Sequence, residues 1–120
     1  MDISGRHEED GEYLMVAAAV HARVGTDRLR SVEGMGIATS EALPTFENAA
    51  GVVADAVEDL SEPPEGPVVA ERGEFYEEPT WSVANCLDLE LEFKYVETIA
   101  ERETVQAAHH AAYGARRLLL

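Results

Sequence analysis

Apolar residues recur along the chain in distinct rhythms, and each rhythm predicts an element. Tyr13 to Ala22 is almost unbroken apolar sequence, with Asp10-Gly11 before it and Gly25-Thr26-Asp27 after it. An apolar run of this length between turn signals fits a buried strand better than a helix. Leu29 to Ala38 follows as a second strand, and the short loop between them predicts an antiparallel hairpin. Gly34 and Gly36 within it mark a bulge or a close backbone approach. From Phe46 the spacing turns helical, with Phe46, Ala50, Val53, Val57 and Leu60 on one face. Ser40 or Thr45 can cap this helix, and Ser61-Glu62-Pro63-Pro64-Glu65-Gly66 ends it. Val68-Val69-Ala70 reads as a short buried strand, continuing through Phe75 and Tyr76 after a turn at Gly73.

Pro79-Thr80-Trp81 starts a short helix that runs to about Leu87, and Leu91 to Ile99 carries enough β-formers to predict a strand. The last segment, Glu101 to Leu119, is helical, with Val105, Ala108, Ala112, Ala115 and Leu119 as its core stripe. Arg116 and Arg117 suit the negative end of its dipole. Tyr76 and Trp81 read as core aromatics. A hairpin followed by βαβ units predicts a single α/β domain over residues 1–120, with helices packed on a mixed sheet. A first strand reaching Asp2 has only Met1 ahead of it. Either that strand is a stub or the natural chain extends upstream of Met1.

Charge changes this picture. The 120 residues hold 24 acids against 9 lysines and arginines, a formal net charge of -15, and Lys94 is the lone lysine. The acids are dispersed and the apolar fraction is that of a folded domain, which argues against an acidic disordered tail. In concentrated salt the Debye length falls to about 3 Å, so a dense carboxylate surface hydrates the protein with little self-repulsion. The composition therefore predicts a halophilic, salt-adapted protein. It also makes an acid near any strand end commonplace, and it removes acidity as an argument against a nucleic-acid partner. Cys86 is the lone cysteine, so an internal disulfide is excluded. The longest apolar run is far below the ~20 residues of a spanning helix, so no membrane is expected and a cytoplasmic location is.

The candidate chemistry lies at the start. Asp2-Ile3-Ser4-Gly5-Arg6, followed by Met15-Val16-Ala17-Ala18-Ala19-Val20, resembles the opening of type 2 ribonuclease H. There an acid ends the first strand, a small residue, Gly and Arg follow, and an Ala-bearing apolar strand comes next. The order of strands and helices is similar to that of the wider ribonuclease H-like superfamily. The motif covers the first twenty residues, and Ile3 stands where that family carries a second acid. The chain also resembles a short uncharacterised archaeal family of this size.

The ribonuclease H resemblance implies a magnesium- or manganese-dependent nuclease acting on RNA or DNA, with carboxylates holding two ions about 4 Å apart. Asp2 is then the first metal ligand. Spacing supplies the others. Glu101 lies on the core-facing stripe at a helix start, where it can alternatively cap its own helix. Glu71 follows a short strand, with Glu74 as its competitor, and Glu47 sits in the first turns of the middle helix. Asp2, Glu71 and Glu101 form the catalytic set, and Glu47 joins them as a fourth metal ligand. Gly5 and Arg6 are candidates for phosphate binding through a backbone amide and a guanidinium fork. His109 reads as a packed, hydrogen-bonded histidine, and His110 diverges from it around the helix.

Two functions fit these residues. One is a non-catalytic binding or assembly module, favoured by the loss of an acid at Ile3, with Leu118-Leu119-Leu120 of the C-terminal helix as a homodimer contact. The other is the divalent-metal nuclease, which requires Asp2, Glu71 and Glu101 to converge.

Overall fold

The hairpin forms the largest part of the sheet. In a computed structural model describing all 120 residues, β2 (Met15–Val24) pairs antiparallel with β3 (Leu29–Ser40), and Ala17 lies opposite Ala38. Met15 to Ala19 are all buried because the strand is covered on both faces. Met15, Ala17 and Ala19 join the main core beneath α1 (Phe46–Glu58), whereas Ala18 packs on Ala108 and Ala112 of α3 (Ile99–Leu119). Alanine on both faces lets two helices approach the same strand.

The glycine pair in β3 serves both expected purposes. The ladder slips beside Gly34, where His21 faces Gly34 but Ala22 faces Val32. At Gly36 a Cβ would lie 2.0 Å from the Ala56 carbonyl oxygen, so only glycine lets α1 sit this close to the strand. Asp59, just beyond α1, accepts a hydrogen bond from the Ile37 amide at 3.1 Å. Thr45, not Ser40, caps α1, accepting from the Asn48 amide at 3.2 Å.

The second half is a parallel pair, β4 (Val68–Ala70) and β5 (Phe93–Tyr95), connected through α2 (Thr80–Leu87). β4 does not continue through Phe75 and Tyr76. Residues 72–77 turn, Tyr76 and Glu77 adopt left-handed φ values of 56° and 61°, and Phe75 drops into the core. Its ring meets those of Phe46 and Phe93 edge-on, at 6.1 and 5.5 Å. Filling that hole wins over extending a strand. In the Leu91–Ile99 stretch the strand is confined to β5, with hydrogen bonds to β4 also from Glu92 and Val96 at its ends, and Thr98 beyond it caps α3. The α3 stripe also departs from expectation. Arg116 is buried where Ala115 and Leu119 were expected to be, and Leu119 is exposed.

β1 (Asp2–Ser4) is a three-residue stub that pairs antiparallel with β2, Asp2 opposite Ala18. On its other edge the Met1 α-amine donates to the Val69 carbonyl at 2.9 Å. β1 is thus the edge of the three-stranded antiparallel sheet, ordered β1-β2-β3, that faces the two-stranded parallel one. No helix is long and apolar enough to cross a membrane.

Candidate functional site

Asp2 on β1 and Glu74 in the turn after β4 are the two buried acids of the molecule. Side chains alternate along a strand, so Met1 and Ile3 enter the core under α1 while Asp2 faces α3. Its buried carboxylate has Oδ2 3.1 Å from Nδ1 of His109, whose side chain is 58% exposed. His109 is hydrogen-bonded as its helical position suggested, but it faces solvent rather than packing. Its ring stacks on Tyr113 and meets His110 edge-on.

Glu74 reaches this place from the tight turn after β4. The Ile3 amide donates to its Oε1 at 2.9 Å. Arg6 folds over the same residue, donating to its backbone carbonyl and holding Nη2 3.7 Å from its Oε2. The Arg6 guanidinium lies 5.1 Å from the Tyr76 ring centre. The left-handed residues Tyr76 and Glu77 are the backbone strain that accompanies this turn.

The electrostatics follow from burial. Loss of water and then the charge of Asp2 push Glu74 up to about 7, against the pull of Arg6 and the Ile3 amide. Burial likewise raises Asp2, and its bond to His109 opposes the rise. For both acids, burial is the largest influence and disfavours the charged form. Burial also draws the Met1 α-amine down to about 6. The cluster thus holds two buried acids, of which Asp2 is hydrogen-bonded to the solvent-facing His109.

The other candidates are placed elsewhere. Glu71 is half-buried and pairs with Arg102 at 3.8 Å. Glu101 closes a capping box with Thr98: its Oε1 accepts from the amides of Glu97 and Thr98 at 2.9 and 3.0 Å, and its Oε2 is 2.8 Å from Lys94 Nζ. Burial works against its ionisation, but Lys94 and the two amides outweigh that and hold the carboxyl below its usual range. Glu47 is exposed in the first turn of α1. Asp2, Glu71 and Glu101 are therefore engaged with different partners, and no three His, Cys, Asp or Glu side chains are grouped so as to hold a metal ion. The residues present do not fit a magnesium or manganese centre of the expected kind.

The two phosphate candidates are turned inward. Gly5, at φ +89°, packs so tightly that a Cβ would lie 2.1 Å from Arg116 Nε and 2.2 Å from the Leu14 carbonyl oxygen. Arg6 is held by Glu74. Trp81 and Tyr76 are exposed, not core, and Trp81 is 72% accessible.

Sequence reasoning missed the part played by Arg116. Its Nε donates to the Leu14 carbonyl at 2.9 Å and its Nη1 lies 3.5 Å from Glu9. The signal was its place four residues after Ala112 on the buried stripe. Glu74 competes with Glu71 in the sequence, and position after a strand alone does not say which of the two acids turns inward.

The family model described as "uncharacterized protein conserved in archaea" (DUF2209) matches residues 1–120. An uncharacterized protein of Methanocaldococcus jannaschii is 28% identical over 121 residues, spanning all of this chain and 94% of its own. No solved structure matches the chain at significant similarity.

Proposed function

The chain belongs to this archaeal family, and we propose that it is a salt-adapted, cytoplasmic binding or assembly module built on a ribonuclease H-like scaffold. Strand order supports the scaffold. With the Met1–Val69 bond counted, the strands run β3-β2-β1-β4-β5, with a helix after each of β3, β4 and β5. That order resembles the ribonuclease H-like arrangement, as does the Asp2-to-Arg6 motif on the central strand.

The observation that carries the non-catalytic reading is the engagement of the acids. Asp2 is bound to His109, while Glu74 is bound to the Ile3 amide and paired with Arg6. A hard divalent ion needs several oxygens free to turn toward it, and here protein donors hold Asp2 Oδ2 and Glu74 Oε1, with Arg6 beside Glu74 Oε2. For assembly, Leu118, Leu119 and Leu120 supply an apolar end on α3, with Leu118 90% exposed.

A second reading, the divalent-metal nuclease, draws on one specific feature: two acids are buried, Asp2 on β1 and Glu74 in the turn after β4, with Glu74 rather than Glu71 turned inward. One experiment separates the readings. The protein is titrated calorimetrically with magnesium and manganese in concentrated KCl, then incubated with RNA, DNA and hybrid substrates. The binding-module reading expects neither site-specific micromolar metal binding nor cleavage. Cleavage that disappears in Asp2→Asn would establish the nuclease instead. Sedimentation in the same buffer tests the dimer, and a monomer at all concentrations removes it.

A further inference from the structure

α3 covers only part of its face of the sheet. It lies over β1 and β2 and touches β3 far less. Its course is fixed at both ends: Glu103 accepts from the Leu29 amide at 3.1 Å, and Arg116 donates to the Leu14 carbonyl at 2.9 Å. Directly opposed residues of paired strands share a face. Ala18 faces α3, so Ile37 opposite it does too, and by alternation so do Val20 with Met35 and Ala22 with Val32. Val32 and Met35 are each 49% exposed. The other face of β3 is covered by α1, which approaches it at Gly36. On the α3 side nothing covers it.

α3 thus stands on the sheet as a ridge beside a shelf. One flank of the ridge looks toward β1 and β4, where His109 meets Asp2 and Arg102 meets Glu71. The flank toward the shelf carries Ala107, Ala111, Gly114 and Leu118, at the i, i+4, i+7, i+11 spacing of one helix side. Ala111 packs with Val20 and Ile37 around Ala18.

Neither the shelf nor this flank bears a charge. The chain has 24 acids, yet α3 has none from Thr104 to Leu120. Acid-dense surfaces of two copies repel one another, so close approach needs a surface without acids. An exposed apolar patch rimmed by polar surface marks an interaction site. The shelf offers no cation to an acidic partner and no acid to a basic one, which favours a self-matched occupant.

We propose that the shelf receives α3 of a second copy of this chain, the two copies being related by a two-fold axis that runs alongside both helices. A ridge beside a shelf is complementary to itself under that operation, so each α3 covers Val32, Met35 and Ile37 of the other copy. The helices run parallel in one layer between two sheets. Rotation about this axis preserves height along it, and charges then match at both ends. Glu103 lies level with Leu29 in its own chain, which brings it to the level of Arg30 of the second copy. Arg116 lies level with Leu14, next to the Met15–Ser40 pair, which brings the exposed Arg117 to the level of Glu41 of the second copy.

The inference names the partner for the assembly reading and rests on it. Metal titration and cleavage test whether the protein is non-catalytic, whereas association tests this interface, so either can fail alone. The full chain is followed by sedimentation equilibrium in concentrated KCl, where the wild type forms a dimer. Met35→Glu, at a half-exposed position that the monomer tolerates, weakens the dimer by about tenfold or more. Leu120→Glu, on the β1 side of the helix, leaves it unchanged. Cross-linking fixes the geometry. In a Cys86→Ala background, Gly114→Cys meets its own copy across the axis and forms an intermolecular disulfide under mild oxidation. A side chain there has open space around it in the monomer. Tyr113→Cys, on the opposite flank, does not cross-link. A monomer at millimolar protein, a dimer indifferent to Met35→Glu, or cross-linking as ready in Tyr113→Cys as in Gly114→Cys would each overturn the proposal. A dimer lost only in Leu120→Glu would overturn this interface too, and leave assembly to the leucine end of α3.

Discussion

Glu74 is held out of water beside a second acid, and its charge is correspondingly unwelcome. With the folded carboxyl near 7 and the ordinary value 4.5, the native state binds more protons than the unfolded chain between those limits. The contribution of this group is therefore fully favourable below about pH 4.5 and is lost as pH rises to about 7. Glu74→Gln keeps an oxygen for the Ile3 amide and removes the ionisation. The variant is expected to gain on the wild type by roughly 2–3 kcal/mol between pH 4.5 and 7, then to run level with that offset. Urea unfolding across this range in concentrated salt checks it, and a stability difference independent of pH would contradict the assignment. Among single residues, Asp2 was legible because a motif pointed to it. Glu74 was less so, since the choice between it and Glu71 depends on a left-handed turn at Tyr76–Glu77 that no local propensity announces.

Helix boundaries are the best-read level. Thr45 ahead of Phe46 and the Pro79-Thr80 start of α2 act through local chemistry, a side-chain cap and a proline-fixed backbone, so nearby residues suffice. The Thr98-x-x-Glu101 capping box is equally local, and it gives Glu101 a structural occupation that a metal-ligand reading overlooks. Thr98→Ala is expected to destabilise the protein by about 1 kcal/mol. Equilibrium unfolding measures this, and an unaltered midpoint would mean that the cap contributes nothing to the fold. Strand extent was harder to read. Phe75 and Tyr76 are good β-formers, yet a vacancy between Phe46 and Phe93, formed by residues distant in sequence, takes Phe75 into the core.

At the scale of the whole molecule the surplus of acid decides behaviour. A net charge of -15 on a chain with a radius of gyration of 13.4 Å repels itself strongly in dilute buffer. Screening shortens the Debye length from about 8 Å at physiological ionic strength to about 3 Å at 1 M. The melting temperature is therefore expected to climb by on the order of 10 °C between dilute and molar KCl, corresponding to a few kcal/mol for a domain of this size. Thermal melts followed by circular dichroism test this, and a salt-independent midpoint would remove the case for salt adaptation. The hairpin and the βαβ unit could be read from the chain because each is a local unit. The bond that unites them, Met1 to Val69, spans 68 residues and leaves no periodic trace.

That bond has a consequence for synthesis. β1 is made ahead of both its neighbours and can pair with the hairpin early, but its second neighbour emerges only when Val69 does. At about 5–20 residues per second the far edge of β1 stays open for several seconds on every nascent chain. An open strand edge invites pairing with a neighbouring polypeptide, and a charge placed on such a strand discourages it. Asp2 places a charge on that strand, which works against such pairing before the fold has closed.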